Sequence, residues 1–142
     1  MKKFKLKGTG ITGKFPDGLE LEFIKEESDE NTFYYDREDC GITFLVKDGY
    51  IDEDESREVF DNFLAELDID PDSIENDDIQ CVNGEGTFIM GANKKDSSVL
   101  NIITILISQV SEQTLIASAT FNCSAKLVGN IIGSITFPED EE

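Results

Sequence analysis

The stretch VLNIITILI, residues 99–107, decides the fold because it is apolar on both faces of an extended chain. Its alternate positions form two apolar rows, one of Ile103, Ile105 and Ile107 and the other of Leu100, Ile102 and Leu106. Strands that carry β-branched residues on both faces lie inside sheets that have packed layers above and below them. The stretch therefore predicts a central strand.

Alternating patterns on both sides of this strand predict its neighbours. Residues 115–121 place apolar side chains at every second position, which indicates an antiparallel strand beside it. Upstream, residues 87–90 indicate a short strand that a hairpin loop at 92–96 joins to the central strand. The second half of the chain is therefore predicted to be rich in strands.

The first third of the chain adds further strand patterns, at residues 4–6, 19–23, 32–35 and 42–46. A Pro-Asp-Gly turn at residues 16–18 separates the first two patterns. The last two predict either two strands or one long strand that is interrupted near Cys40. Most of these strands have one polar face, which is typical of an antiparallel sheet.

Two amphipathic helices complete the prediction. A helix from about residue 54 to about residue 67 has an apolar stripe at helical spacing, formed by Val59, Phe60, Phe63, Leu64 and Leu67. A terminal helix capped by Ser124 has a second stripe, formed by Leu127, Val128, Ile131, Ile132 and Ile135. We expect an α+β fold, an antiparallel sheet of about six strands packed by two main helices.

Length and charge set the limits on function. The 142 residues predict a single domain over residues 1–138, followed by an acidic tail at 139–142. The chain has 31 acidic and 12 basic residues and no histidine, for a net charge of −19. Such a charge repels nucleic acids and anionic membranes, which are bound through lysine and arginine. A basic protein is the electrostatically natural partner.

The acidic residues are concentrated in the middle of the chain. Residues 52–78 contain 13 acidic residues and one arginine, for a net charge of −12. Some of these acids lie at the start of the predicted helix, where the helix dipole favours negative charge. The others predict a surface that binds a basic partner, with candidate residues Asp68, Asp70, Asp72, Asp77 and Asp78. The alternative is that the acidic surface only keeps the domain soluble.

The segment that begins at Asp68 resembles the start of a calcium-binding loop. Asp68, Asp70 and Asp72 occupy its first, third and fifth positions, but Ser73 stands where an EF-hand needs glycine. Ile79 stands where an EF-hand needs glutamate. A true EF-hand is therefore excluded, and weak calcium binding by Asp68, Asp70, Asp72, Asp77 or Asp78 is a minor alternative to a solvated acidic loop.

Residues 8–13, GTGITG, match the GxGxxG pattern of dinucleotide-binding loops. That function requires a helix to begin at the loop, whereas residues 14–18 lead into a strand. These glycines are therefore predicted to shape a hairpin or a bulge, and no cofactor is expected.

Enzymatic activity is not expected, because no histidine can activate a serine or cysteine nucleophile. Cys40, Cys81 and Cys123 are widely spaced and odd in number, which predicts free thiols in a reducing compartment. No signal peptide, lipidation cysteine or membrane span is recognisable, so we expect a cytoplasmic protein.

The order of elements resembles that of the PsbP-like superfamily. The resemblance rests on the FPDG turn at residues 15–18, the mid-chain helix, and the IIGSITF end of the last helix at residues 131–137. This superfamily includes photosystem accessory proteins, a nuclear-import release factor that binds Ran, and small bacterial proteins. The resemblance implies an α/β/α sandwich and a non-enzymatic accessory or binding domain, and it carries over no functional residue.

Two functions from different classes follow. The first is a protein-interaction module that binds a basic protein through its acidic surface, as an inhibitor, an immunity-type protein or an assembly factor. The second is a small-ligand-binding domain with an apolar pocket between sheet and helix, lined by residues such as Phe44, Phe60 and Phe63. These phenylalanines could equally fill the hydrophobic core.

Overall fold

The computed structural model describes residues 2–18, 20–27, 31–122 and 125–138. These residues form nine strands, namely β1 (Lys2–Leu6), β2 (Ile11–Phe15), β3 (Glu22–Glu27), β4 (Thr32–Arg37), β5 (Cys40–Asp48), β6 (Glu75–Cys81), β7 (Gly84–Ala92), β8 (Leu100–Ser108) and β9 (Gln113–Phe121). They also form two α-helices, α1 (Glu53–Glu66) and α2 (Ala125–Gly133), and a short 3-10 helix at Pro71–Ser73. The predicted α+β class is confirmed.

Seven strands form one antiparallel sheet in the order β3, β4, β5, β9, β8, β7, β6. The predicted central strand is β8, which pairs with β7 on one side and β9 on the other. Strands β1 and β2 form a separate antiparallel hairpin. The two patterns near Cys40 are separate strands, β4 and β5, which pair with each other.

Both faces of the large sheet are covered. The β1–β2 hairpin and α2 pack on one face, in a core with residues such as Phe44, Ile102 and Leu106. Helix α1 packs on the other face, where Phe63 meets residues such as Ile103 and Ile105. The two apolar rows predicted for residues 99–107 are therefore confirmed, and the sheet lies between two layers.

Helix α1 begins where its acidic residues are most favourable. Asp52 is the N-cap, and its carboxylate accepts a hydrogen bond of 2.8 Å from the Glu55 N–H. Glu53, Asp54 and Glu55 occupy the first turn, next to the positive end of the helix dipole. Part of the central acidity is therefore explained by the helix itself.

The segment after α2 joins two distant parts of the chain. The Thr12 N–H donates to the Thr136 carbonyl at 3.0 Å, and the Val82 N–H donates to the Ile135 carbonyl at 3.1 Å. The side chains of Ile135 and Phe137 are fully buried. This segment thereby holds the β1–β2 hairpin against the sheet. The predicted cap of α2, Ser124, lies outside the described residues, as do Leu19, Cys123 and the acidic tail.

Two strands of the structure were not predicted. Strand β2 was missed because Gly13 interrupts its pattern; a Cβ atom there would lie 2.3 Å from the Phe4 ring, so the packed ring requires glycine. The turn before β2 contains Gly8 and Gly10, whose φ angles are +82° and +77°. The hairpin interpretation of the glycine motif is therefore confirmed.

The second missed strand is β6, in a segment expected to be a solvated acidic loop or face. Strand β6 has the sequence ENDDIQC, and most of its side chains are exposed. It pairs with β7 over its full length, at the edge of the sheet. An edge strand is held by backbone hydrogen bonds along one side, so it needs little apolar surface.

Candidate functional site

The five aspartates predicted to bind a partner lie in one continuous region, from the end of α1 to the edge strand β6. Asp68 follows α1 with a φ angle of +49°, and its carbonyl accepts from the Lys94 N–H at 3.0 Å. Its carboxylate is 3.9 Å from the Lys94 Nζ, and both side chains are about half exposed. Exposed ion pairs of this kind contribute little to stability. Because its side chain is about half exposed, Asp68 remains accessible to a partner.

Asp70 and Asp72 lie in the turn that leads into β6. The Asp70 carboxylate caps the 3-10 helix by accepting from the Asp72 N–H at 3.0 Å. The Asp70 N–H donates to the Ala92 carbonyl at 2.8 Å, and the Ala92 N–H donates to the Ser73 Oγ, also at 2.8 Å. The turn is therefore fixed to β7, and the Asp72 side chain points to solvent.

Asp77 and Asp78 are adjacent, exposed residues of β6. The Asp77 Oδ1 accepts from the Asp78 N–H at 2.8 Å, and the Asp78 Oδ1 lies 3.5 Å from the Thr87 Oγ1 on β7. Because adjacent strand residues point to opposite faces, the two carboxylates lie on opposite faces of the sheet. The edge of the sheet is therefore negatively charged on both faces.

The outer side of β6, here called the β6 edge, carries backbone groups that face away from β7. Val82, just after β6, donates to the Ile135 carbonyl and accepts from the Phe137 N–H, both at 3.1 Å. Alternate residues of an antiparallel strand direct their backbone groups to the same side, so those of Asn76, Asp78 and Gln80 also point outward. Among the described strands, β6 pairs only with β7.

A groove of about 770 Å³ runs along the β6–β7 hairpin and the turn after β8. Its lining combines two carboxylates, those of Asp78 and Glu85, with the apolar side chains of Ile79, Ile107 and Val110, and includes no lysine or arginine. Close packing of β7 against β8 shapes its floor, because a Cβ atom at Gly86 would lie only 1.7 Å from the Ile105 carbonyl oxygen.

Sequence reasoning missed this groove. The only available signal was the pair of glycines, Gly84 and Gly86, inside a strand pattern, which indicates a close approach of another backbone. Cys81 also lines the groove. Burial raises the pKa of its thiol to about 11, so the thiol is protonated at neutral pH and is a poor nucleophile. Cys81 forms no disulfide with another described residue.

A smaller cavity of about 340 Å³ lies beside the β4–β5 turn. The Arg37 guanidinium binds the Asp39 carboxylate through two hydrogen bonds, Nε to Oδ1 at 2.6 Å and Nη2 to Oδ2 at 2.8 Å. This pairing lowers the pKa of Asp39 below its ordinary value. Arg37 also donates to the Gly18 carbonyl at 2.7 Å, so it joins two turns and has a structural role.

The prediction of an apolar pocket between sheet and helix is wrong. Phe44 is fully buried in the core on the α2 face, whereas Phe63, with Phe60 beside it, packs on the α1 face. The sheet separates Phe44 from the other two, so they cannot line one pocket. Their apolar side chains stabilise the two cores instead.

Within the described ranges, no group of three or more cysteine, aspartate or glutamate side chains is arranged to hold a metal ion. Asp70 and Asp77 instead accept hydrogen bonds from backbone N–H groups. In the same part of the chain, neither helix is long and apolar enough to cross a membrane.

Comparisons with known proteins place the chain by fold. No protein-family profile matches it, and no curated protein is significantly similar in sequence. Its structure is similar to that of the Saccharomyces cerevisiae Ran-binding protein Mog1p, with a TM-score of 0.53 and 16% identity, over 96% of this chain and 94% of Mog1p. A point mutant of Mog1 gives a TM-score of 0.54 and 16% identity, over 97% of this chain and 96% of that one.

A protein from Bacteroides thetaiotaomicron is also similar, with a TM-score of 0.58 and 13% identity. The match covers 99% of this chain but only 50% of that protein, so the chain spans half of its length. These findings correct the resemblance to the PsbP-like superfamily. At 13–16% identity, these structures show a shared Mog1-type fold and do not show membership of that superfamily.

Proposed function

We propose that this chain is a non-enzymatic protein-interaction module of the cytoplasm, whose acidic surface binds a basic protein. The observation that carries the proposal is the position of the five aspartates. None of them caps α1, yet all lie between the end of α1 and the β6 edge, in a segment, 68–78, that contains no lysine or arginine. A concentrated field of one sign attracts a partner of the opposite sign.

The fold supports the same proposal. Mog1p, which shares the fold over nearly its whole length, is a Ran-binding protein. That activity belongs to Mog1p, and at 16% identity it shows only that a domain of this architecture can bind another protein. We propose the same general role for this chain, with a partner selected by its positive charge.

The first experiment is affinity purification from a native cell extract at low and at high salt, with mass spectrometry of the retained proteins. A basic protein that is retained at low salt and lost at high salt supports the proposal, because salt screens the attraction between exposed charges. If no basic protein is retained at either salt concentration, the proposal is wrong and the acidic surface only confers solubility.

A matched pair of variants then tests the location. Asp72, Asp77 and Asp78 are changed to asparagine in one variant, and Glu20, Glu22 and Glu38, which are exposed at the other side of the sheet, are changed to glutamine in the other. Both variants lose three negative charges. We expect the first to bind the purified partner at least about tenfold more weakly, mainly through slower association, and the second to bind nearly as the original protein does. Equal losses of affinity in the two variants would contradict the assignment of partner binding to this surface.

A further inference from the structure

We propose that the β6 edge binds its partner as an added strand, and that the ligand is an extended segment in which lysine or arginine alternates with apolar residues. This inference rests on the proposed function, because it specifies how the acidic surface binds a basic protein. Strand addition supplies affinity through backbone hydrogen bonds, and selects side chains through the surfaces on either side of the edge.

The first step of the argument is the open edge. The backbone groups of Asn76, Asp78 and Gln80 point away from β7, and no described strand pairs with them. The Asp78 N–H already donates to the Asp77 carboxylate, which leaves the N–H groups of Asn76 and Gln80 for a ligand. The N–H groups of Asn76 and Gln80 are four residues apart, which is twice the two-residue repeat of the groups that face one side of a strand.

The second step is that the same edge already accepts an extended segment at its end. The Val82 N–H donates to the Ile135 carbonyl, and the Val82 carbonyl accepts from the Phe137 N–H, in a parallel bridge with Thr136. No hydrogen bond or bridge of the described backbone joins segment 135–137 to residues 76–80, whose outward-facing members Asn76, Asp78 and Gln80 are exposed. An added strand would continue the pattern that this bridge begins.

The third step is charge and polarity. Glu75 and Asp77 lie on one face of the edge, and Asp78 lies on the other, next to the groove with its Glu85 carboxylate. Lysine or arginine side chains on either face of an added strand would meet a carboxylate. Apolar side chains would meet Ile79, the apolar residue of β6 that lines the groove.

Charge also decides against a second copy of the chain as the ligand. Two β6 edges would bring Glu75, Asp77 and Asp78 of each copy together, and acidic residues at a sheet edge oppose such pairing. The lysine or arginine side chains of a basic segment would instead be attracted to these carboxylates.

The test uses a synthetic octapeptide of alternating lysine and valine, acetylated and amidated at its ends, titrated against the full chain by calorimetry. Its control has the same sequence with an N-methyl group on every residue, which retains the charges but removes the backbone donors on both sides of the peptide. We expect the control to bind at least about tenfold more weakly, because it loses several hydrogen bonds to the edge. We also expect the amides of Asn76 and Gln80 to exchange more slowly with solvent when the first peptide is bound.

The variant Gln80→Pro tests the edge from the protein side. Proline removes an outward N–H and retains the charge, and it is tolerated at an edge where the N–H faces solvent. We expect it to weaken binding of the first peptide while circular dichroism shows a folded chain.

If this variant fails to fold, the comparison of the two peptides still tests whether the ligand binds as an added strand. Equal binding of both peptides, or unchanged exchange at Asn76 and Gln80, would overturn strand addition but leave the acidic-surface function intact. No binding of the alternating peptide at low salt would also overturn it. Failure of the proposed function is recognised separately, by the absence of a basic protein in the salt-dependent purification.

Discussion

Two threonines, Thr104 on β8 and Thr114 on β9, have fully buried side chains but differ in their hydrogen bonds. The Thr114 Oγ1 donates to the Gly49 carbonyl at 2.8 Å. The Thr104 Oγ1 is buried without a hydrogen-bond partner among the described residues. A buried hydroxyl without a partner costs free energy, because it has lost its hydrogen bonds to water.

Replacing each threonine by the isosteric valine tests this difference. We expect Thr104→Val to raise the free energy of unfolding by about 1 kcal/mol, because it removes an unsatisfied polar group. We expect Thr114→Val to lower it by about 1 to 2 kcal/mol, because the Gly49 carbonyl loses its donor. Urea unfolding of both variants measures the change, and shifts of the same sign would contradict the assignment.

The pair of Arg37 and Asp39 gives a prediction about pH. Because Arg37 holds the pKa of Asp39 below its ordinary value, the ionised pair stabilises the fold above the unfolded value of about 4. That contribution is lost as the pH falls through the lower, folded value. In Arg37→Gln we expect the pKa of Asp39 to rise toward its ordinary value in a carboxyl NMR titration. Asp96, whose pKa is lowered by hydrogen bonds from Ser98, serves as the internal control, and its pKa should stay the same in this variant.

At the scale of elements, the contact between β7 and β8 depends on one glycine. A Cβ atom at Gly86 would meet the backbone of Ile105, which cannot move without disturbing the pairing of β7 with β8. Gly129 in α2 is the matched control, since a Cβ atom there meets nothing within 4 Å.

We expect Gly86→Ala to lower the free energy of unfolding by about 3 kcal/mol or more, because overpacking against a backbone atom forces the strands apart. We expect Gly129→Ala to raise it by about 0.5 to 1 kcal/mol, because alanine is the better helix former. Thermal unfolding of the two variants measures both effects. A mild effect at Gly86 would mean that β7 moves easily, and the groove would then be less well defined.

The elements also show what the sequence could and could not predict. Strand β8, helix α1 and helix α2 were predictable because apolar side chains recur with the period of the element that they stabilise. Strand β6 was not, because its stability comes from hydrogen bonds to β7 and its residues Glu75, Asp77 and Asp78 have no apolar periodicity. Phe44 and Phe63 looked alike in the sequence but pack on opposite faces, which only the sheet order determines.

At the scale of the whole molecule, the net charge of −19 opposes the compact state, because folding brings like charges closer together. Salt screens this repulsion. We therefore expect the free energy of unfolding in urea to rise as sodium chloride increases from about 20 mM to about 500 mM. In the variant with asparagine at positions 72, 77 and 78, the free energy of unfolding should rise less with salt, because the repulsion between its charges is weaker from the start. A decrease with salt would indicate that attractive ion pairs dominate instead.

The candidate site was predictable only as a segment. The sequence shows that residues 52–78 are acidic, but the region is divided between the first turn of α1, the turn at Asp70 and the β6 edge. The groove beside the edge depends on residues far apart in the chain, such as Asp78 and Val110. Its existence follows from the pairing of β6, β7 and β8, which no local pattern encodes.

The hydrogen bonds between Thr12 and Thr136 have a consequence for how the protein is made. A ribosome produces β1 and β2 before the residues that hold their hairpin in place, which are synthesised more than a hundred positions later. Contacts between residues so distant in sequence form slowly, since a long loop must close first. Phe4, Leu6 and Phe15 therefore remain without their final cover until α2 and residues 135–137 have been synthesised. Until then the nascent chain carries an apolar surface that chaperones can protect.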